Sequence, residues 1–170
     1  MFWYFGIYSF LGYLLEKVFA KVTQSPQQGR KGFLALPLCP VYGLGMLAVL
    51  ALPAVWRIGW RVVLAGGLAA TAVEYVVHWA YDRFLGVRFW DYSAVSGNLR
   101  GRVCLPFSVI WGILVWAAMT WVQPWVEVLT ARVPPEVTWL CLLALTADAV
   151  CSIWLLRQSG DPEILRADVP

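Results

Sequence analysis

Four ionisable residues interrupt long uncharged stretches of the sequence and are the first candidates for chemistry. They are Glu16, Glu74, His78 and Asp148. A charged side chain at the centre of a bilayer costs roughly 2.5–3.5 kcal/mol on insertion scales, so intramembrane acids are rare and usually functional. These groups could form a path for a cation, a proton or a substrate. They could equally pair with basic side chains such as Arg102 and only hold helices together.

The spacing around Glu74 places three polar groups on one surface. Glu74, His78 and Asp82 recur every four residues, so they share one face of a helix. Carboxylates there could hold a hard cation, whereas an HExxH zinc site is excluded because the chain has a single histidine. A metal site built from carboxylates and an enzymatic role of His78 both stay open as alternatives. The sequence predicts no cofactor.

A long polar loop between residues 83 and 102 is the second candidate site. It contains the sequence Trp-Asp-Tyr-Ser at residues 90–93, followed by Asn98, Gly101 and Arg102. Arginine forks in such a loop could bind an anionic lipid headgroup or a phosphate. The alternative is an ordinary interfacial loop with aromatic anchors.

The elements that must position these residues are membrane helices. The chain is 61% hydrophobic and 14% charged, whereas soluble domains are about 45–50% apolar and about 25% charged. We expect an all-α integral membrane protein of about five transmembrane helices, with one transmembrane domain over residues 1–156 and a short polar cytoplasmic tail over 157–170. The mostly apolar stretches of spanning length are 2–20, 32–56, 62–81, 103–126 and 137–156.

The distribution of Lys and Arg predicts the orientation. With five spans, Arg57, Arg61 and Arg132 lie on one side, and the other ten of the thirteen basic residues lie on the side of the C-terminus. Cytoplasmic loops carry the excess of basic residues. The sequence therefore predicts a multi-pass cell-membrane protein with its N-terminus outside and its C-terminus in the cytoplasm. The net charge of +3 indicates the lipid bilayer as partner and no nucleic acid.

An internal repeat relates two parts of the chain. Residues 32–43 align without gaps on residues 101–112, and the helix before each segment carries one glutamate, Glu16 or Glu74. Helices one and two thus resemble helices three and four, and the expected symmetry axis lies along the membrane normal, as in parallel transporter repeats. Prolines near the start of helix two predict an irregular entry. The motif residues are Gly32, Pro37, Cys39, Pro40, Tyr42, Gly43, Gly101, Trp111 and Gly112.

These motifs resemble those of a known family. The Trp-Asp-Tyr-Ser stretch, with Asn98 and residues 101–105, resembles the signature of the bacterial CmpB family of ABC-transporter permeases, which is related to the animal transmembrane protein 229 group. Residues 32–45 resemble its other motif, except that Leu36 stands where the family usually has glycine. The resemblance implies a permease, with any ATPase supplied by a separate chain. Five helices are few for a permease protomer, which suggests a homodimer or a different role.

Three functions follow as alternatives. The first is a permease or transporter subunit whose interior acids form a cation, proton or substrate site, with Arg102 as counter-charge. The second is a membrane enzyme or lipid-headgroup-binding protein at the cytoplasmic interface. The third is a structural or assembly protein. The candidate binding residues are Glu16, Glu74, His78, Asp148, Arg102, Asp91, Tyr92 and Asn98.

Overall fold

Helices make up nearly all of the regular structure. The computed structural model describes residues 1–23 and 32–166, so residues 24–31 and the end of the predicted tail, 167–170, lie outside the described residues. The prediction of an all-α fold is confirmed. The helices are α1 (Phe2–Val22), α2 (Pro40–Ala51), α3 (Trp60–Ala80), α4 (Leu105–Ala117), α5 (Gln123–Thr130) and α6 (Pro135–Ser159).

Two π-helical turns extend the longer helices. The turn at Tyr81–Leu85 continues α3, and the turn at Ala118–Val122 joins α4 to α5, so that one helix runs over Leu105–Thr130. The remaining elements are two short 3-10 turns and one small hairpin. They are Ala54–Trp56, Pro162–Arg166, and the antiparallel strands β1 (Asn98–Leu99) and β2 (Val103–Cys104).

In the described part of the chain, three helices are long and apolar enough to cross a membrane: Trp60–Leu85, Leu105–Thr130 and Pro135–Ser159. Helix α1 is long but carries Glu16, Lys17 and several tyrosines, which lower its hydropathy. Helix α2 has 12 residues, about 18 Å at roughly 1.5 Å per residue, whereas the hydrocarbon core is about 30 Å thick. The count of five spans, and the orientation built on it, therefore stay predictions.

Helix α2 is shorter than the uncharged stretch that predicts it. Residues 33–37 form bends, and the helix begins at Pro40. Proline suits the first position of a helix because its missing N–H would have no intrahelical partner there. Pro53 forces Leu52 into an extended conformation, with ψ 148°, and so ends the helix. The bends lie where the prolines predict an irregular entry.

The helices pack as two close pairs, α1 with α2 and α3 with α4. A Cβ atom on Gly43 would lie 2.5 Å from the carbonyl oxygen of Phe5, and a Cβ on Gly112 would lie 2.5 Å from that of Val63. Small residues permit this backbone approach in membrane bundles. Gly43 and Gly112 are equivalent in the predicted repeat, and Phe5 and Val63 each stand eleven residues before their glutamate. The repeat itself stays a prediction.

Helix α6 packs more loosely against these pairs. Only 11% of its most apolar window is buried in the chain, the same share as for the helix at Leu105–Thr130 and less than the 39% for the helix at Trp60–Leu85. Its contacts include a hydrogen bond of 2.8 Å from the Trp3 indole to Thr138 and the apolar packing of Leu156 with Val87 and Leu165. Most of α6 therefore presents apolar side chains to its surroundings, as expected for a lipid-facing helix.

Candidate functional site

A cavity of ≈ 80 Å³ lies among the first four helices and the loop that precedes α4. Glu16 from α1 and Glu74 from α3 both line it, so the fold brings together two acids that are far apart in sequence. The remaining wall is apolar or aromatic. The aromatic side chains that line it are Phe19, Tyr42, Phe89, Trp90, Tyr92, Phe107 and Trp111.

Glu74 is the deeper of the two acids, with 4% of its surface exposed. The hydroxyl of Tyr92 donates to its Oε1 atom at 3.0 Å, and the indole N–H of Trp111 donates to its Oε2 atom at 2.9 Å. Both carboxylate oxygens are thus oriented by neutral donors fixed on the loop and on α4. A buried carboxylate needs such bonds because it has lost its contact with water.

Glu16 is half-buried and has a similar aromatic partner. The hydroxyl of Tyr42 donates to its Oε1 atom at 2.8 Å. The rings of Tyr42 and Trp111 lie against each other, with centroids 4.8 Å apart. Two touching rings, each bonded to a different acid, therefore connect Glu16 to Glu74 along the cavity wall.

The loop motif builds the support for Tyr92. Asn98 accepts a hydrogen bond from the backbone N–H of Gly101 at 3.0 Å and donates to the carbonyl of Val95 at 2.8 Å. The N–H of Tyr92 donates to the carbonyl of Gly101 at 2.8 Å, and only 3% of Tyr92 is exposed. The structure thus gives Asn98 a role in holding the loop, and Tyr92 a contact with the acid.

Gly101 and Asp91 complete this hairpin. Gly101 has φ +68°, and a Cβ atom there would lie 2.6 Å from a carboxylate oxygen of Asp91, so only glycine fits without strain. The carboxylate of Asp91 accepts hydrogen bonds from the backbone N–H of Ser93 at 2.8 Å and from its hydroxyl. These bonds favour the charged form and lower the pKa of Asp91. The contacts of Asp91 are therefore those of a turn.

His78 supports the cavity wall from behind. It is 3% exposed, and its Nε2 atom lies 2.9 Å from the carbonyl oxygen of Trp90. Because a carbonyl only accepts, Nε2 carries the proton in this contact. Within residues 1–23 and 32–166, the Nδ1 atom of His78 has no hydrogen-bond partner. His78 fixes the position of Trp90, which lines the cavity.

Arg102 forms its ion pair at the end of α3. Its guanidinium lies 3.2 Å from Asp82 and donates to the hydroxyl of Tyr75 at 3.1 Å. Arg88 pairs with the other oxygen of Asp82 at 3.0 Å. Glu74, His78 and Asp82 are predicted to share one helix face, and each of them has different partners. Asp82 bridges two arginines.

Asp148 lies apart from the other two membrane acids. Its two oxygens accept hydrogen bonds from the backbone N–H groups of Ala35 and Leu36, both at 3.1 Å, and Ser152 donates to it at 3.3 Å. It does not line the cavity. Asp148 instead anchors the irregular segment before α2 to α6, and the bends expose the N–H groups that it binds.

One buried polar residue, Gln123, was not predicted from the positions of the charged residues in the sequence. Gln123 is 4% exposed, accepts a hydrogen bond from Tyr8 at 2.8 Å and donates to Glu127 at 2.9 Å. An amide does not interrupt an uncharged stretch, so only its polarity within an apolar segment could have indicated it. This network lies at the far end of the bundle from the cavity and connects α1 to α5.

The described residues contain no group of three or more His, Cys, Asp or Glu side chains arranged to hold a metal ion. The side-chain oxygen atoms that line the cavity belong to its two acids and its two tyrosines. Divalent cations such as Ca²⁺ take six to eight oxygen ligands. The side-chain oxygens that line the cavity therefore number no more than the fewest that such a cation takes.

A family model with the description "Putative ABC-transporter type IV" matches residues 3–155, which is most of the chain and includes the whole cavity. The match confirms the family resemblance of the loop motif, whereas the link to the transmembrane protein 229 group stays a prediction. No curated protein and no solved structure matches the chain.

Proposed function

Because the chain belongs to the type IV ABC-transporter family, we propose that it is a transporter subunit whose interior cavity binds a cation. The observation that carries this proposal is that Glu16 and Glu74, from different helices, line one cavity with an aromatic and apolar wall. The family match supports a membrane transport role. The geometry supports the cavity as the binding site for the transported ion.

Two carboxylates in one apolar cavity favour a positive partner. Like charges in a common site disfavour each other's ionised form, and burial adds a desolvation cost. A bound cation or a proton relieves both effects. The tyrosine and indole donors on Glu16 and Glu74 keep the carboxylate oxygens in place, so the site needs little rearrangement on binding.

The position of the cavity suits access from one side. Glu16 and Glu74 both lie in the C-terminal parts of their helices. With the N-terminus outside, as proposed from the basic residues, the cavity opens in the cytoplasmic half of the membrane. Transport by an ABC mechanism then requires an ATPase from a separate chain. A homodimer would provide two such cavities.

The headgroup-binding alternative receives less support from the loop. Its cationic groups were expected to bind an anion, but Arg88 and Arg102 both contact Asp82. Asn98 and Asp91 are hydrogen-bonded within the loop itself. An anion at these groups would have to displace these bonds.

The test is the stability of the purified chain in detergent with added cations. We expect chloride salts of a bound cation to raise the melting temperature of the wild type, because a ligand that binds only the folded state stabilises it by about 2.7 kcal/mol at one hundred times its Kd. The double variant Glu16→Gln and Glu74→Gln should lose this effect. The stabilisation should also decrease as the pH falls, because protons compete for the carboxylates.

The matched control is Glu127→Gln, which removes a hydrogen-bonded carboxylate outside the cavity. It should keep the full response to the cation. The panel holds ionic strength constant and runs from sodium and potassium to small alkylammonium ions. If the double variant responds to every cation as the wild type does, the cavity is not a cation site.

A further inference from the structure

We infer that the cavity has a side entrance between α1 and α4 that faces the hydrocarbon of the bilayer, and that an amphiphilic molecule enters it from the lipid. The polar group of such a molecule donates a hydrogen bond to Glu16, and its apolar part contacts the exposed residues at the entrance. This inference rests on the proposed function in that the cavity is taken as a binding site. It adds the route to the site and the apolar part of the ligand.

The entrance is formed by two rows of apolar side chains on neighbouring helices. On α1, Leu15 and Phe19 are four residues apart, so they lie on one flank of the helix. On α4, Phe107, Ile110 and Leu114 recur every three or four residues and share a flank in the same way. Residues of both rows line the cavity. The cavity wall on this side thus consists of the facing flanks of α1 and α4.

Three of these lining residues also belong to the outer surface of the bundle. Leu15 is 38% exposed, Phe19 is 45% exposed and Ile110 is 43% exposed. Side chains that line a cavity and also reach the surface form the rim of an opening. The surface beside this rim is apolar as well, since Leu11 and Ile113 are exposed. The cavity therefore opens between α1 and α4 through a hydrophobic rim.

A contact between two rings marks the end of the entrance that is nearer to the hairpin. The rings of Phe19 and Phe107 lie edge to face, with centroids 6.3 Å apart. Ile110 and Leu114 follow Phe107 along α4, so they lie deeper in the candidate span Leu105–Thr130. Apolar side chains at such a position contact lipid, because no water is present in the hydrocarbon region. The entrance thus faces lipid.

Glu16 supplies a polar contact just inside the entrance. It is half-buried, lines the cavity and directly follows Leu15. Among residues 1–23 and 32–166, the hydrogen-bond donor to its carboxylate is the hydroxyl of Tyr42, which contacts Oε1. The Oε2 atom can therefore accept a bond from a ligand, and polar groups away from water require such partners. Lys17, the next residue, lies instead over the ring of Tyr13, 5.2 Å from its centroid. The ligand is thus apolar at the rim and a hydrogen-bond donor at Glu16.

The experiment compares two carbodiimides on the full chain in liposomes. Dicyclohexylcarbodiimide dissolves in the bilayer, whereas a carbodiimide with a charged amine stays in water. With either reagent, the O–H of a protonated carboxyl group adds across a C=N bond, and the adduct rearranges to a stable N-acylurea that peptide masses locate. Glu136 is the reference because it is exposed in the first turn of α6. Relative to Glu136, Glu16 should react several-fold faster with the lipid-soluble reagent than with the water-soluble one.

Two substitutions on α4 test whether this entrance is the route. Ile110→Trp places a larger side chain at the rim and should slow the reaction of Glu16 with the lipid-soluble reagent several-fold. Ile113→Trp is the matched control, because Ile113 is exposed on the same helix and does not line the cavity. It should leave the reaction rate unchanged. Melting temperatures of both variants in detergent verify that they fold.

A second measurement does not depend on the protonation of Glu16. A nitroxide is attached at Leu114→Cys after the two more accessible thiols are removed by Cys141→Ala and Cys151→Ala. We expect this label to collide more often with dissolved oxygen, which concentrates in lipid, than with a water-soluble nickel chelate. The same label at Ser159→Cys, at the exposed end of α6, should show the opposite preference.

The outcomes distinguish this inference from the function on which it rests. Faster reaction of Glu16 with the water-soluble reagent, together with collisions of the label at Leu114→Cys with the nickel chelate, would show that the cavity opens to water. No reaction of Glu16 and a label shielded from both collision partners would show that the entrance is closed. Equal slowing by Ile110→Trp and Ile113→Trp would place the route elsewhere. Each of these results overturns the lipid entrance and leaves the cation test unaffected. A confirmed entrance in a chain whose melting temperature does not respond to cations would overturn the cation proposal alone.

Discussion

The two helix pairs hold their acids in similar ways but bury them to different extents. In the first pair, Glu16 accepts a hydrogen bond from Tyr42, and in the second pair Glu74 accepts one from Trp111. Among the residues that the structure describes, only Glu74 has a second aromatic donor, Tyr92 from the preceding loop, and Glu74 is almost fully buried. A similar framework can thus carry one accessible acid and one deep acid, depending on the loop that covers it.

The segments that lead into α2 and α4 are also held in place by different contacts. The entry to α4 is held by its own loop, through Asn98 and a hydrogen bond of 3.2 Å from Leu105 to Gly97. The entry to α2 is held by a distant helix, through Asp148, and by α1, where the carbonyl of Ser9 accepts a hydrogen bond of 2.9 Å from the N–H of Cys39. The entry to α4 is therefore organised by its own loop, whereas the entry to α2 also depends on α6.

The largest expected effect comes from adding a methyl group at the helix contacts. Gly43→Ala and Gly112→Ala would each place a Cβ atom 2.5 Å from a backbone carbonyl oxygen, so we expect a loss of about 1–3 kcal/mol in stability for each. Gly6→Ala is the control on α1, because nothing lies within 4 Å of its added Cβ. Thermal unfolding in detergent measures all three. A much smaller loss for Gly43→Ala would show that the pairs are not equivalent.

The next effect concerns the anchor of the first pair. Asp148→Asn leaves one good acceptor for two backbone N–H groups, so we expect a loss of about 1.5 kcal/mol. Hydrogen exchange should become faster at Ala35 and Leu36 and stay unchanged around Gly101, whose bonds lie within its own loop. Equal acceleration in both segments would mean that α6 supports the whole bundle rather than the entry to α2.

A smaller effect distinguishes the two acids through their tyrosines. Tyr92→Phe and Tyr42→Phe each remove one hydroxyl donor, from Glu74 and Glu16 respectively. Hydrogen bonds between membrane helices contribute about 0.6 kcal/mol on average and about 1.7 kcal/mol at most. We expect the larger loss of melting temperature for Tyr92→Phe because its partner is buried. The reverse order would show that the hydrogen bond to the half-buried acid contributes more to stability than the bond to the buried one.

The smallest effect is the response of the loop to acid. The hydrogen bonds from Ser93 lower the pKa of Asp91 in the folded chain, so they stabilise the loop above the unfolded value of about 3.9. This contribution is lost as the pH falls through the lower folded pKa. Protection of the loop amides from hydrogen exchange, taken relative to their intrinsic exchange rate at each pH, should therefore fall below about pH 4 in the wild type. Asp91→Asn should show no such step, and a step of the same size in that variant would assign it to another group.

Much of this arrangement follows from the sequence, because hydropathy and small motifs report burial in lipid and local turns. The all-α membrane class could be predicted in this way, whereas the internal repeat stays a prediction. The length of α2 could not be predicted from hydropathy, since prolines end a helix without changing its apolar character. The partner of Asp148 could not be predicted either, because it consists of backbone N–H groups that only the bends expose.

The partner of Arg102 could not be predicted from the sequence either, although both groups are charged. Its charge suggested a counter-ion for a membrane acid, and the structure pairs it with Asp82 near the end of α3. Both acids are on one helix face, so spacing alone does not choose between them. Gln123 was missed because an uncharged amide leaves the hydropathy pattern unbroken, although its bonds connect α1 to α5.

The glycine contacts have a mechanical consequence. Within each pair, backbone meets backbone at Gly43 and Gly112, so neither helix can slide or roll against its partner without a collision. Between the pairs, an added Cβ on Gly45 would lie 3.8 Å from Ala70, an ordinary separation, and Tyr42 meets Trp111 ring to ring. The contact between the pairs is thus made by side chains, with more room than the backbone contacts within each pair, and the cavity with its two acids lies along it. A motion that opens or closes the cavity is expected to occur at this contact.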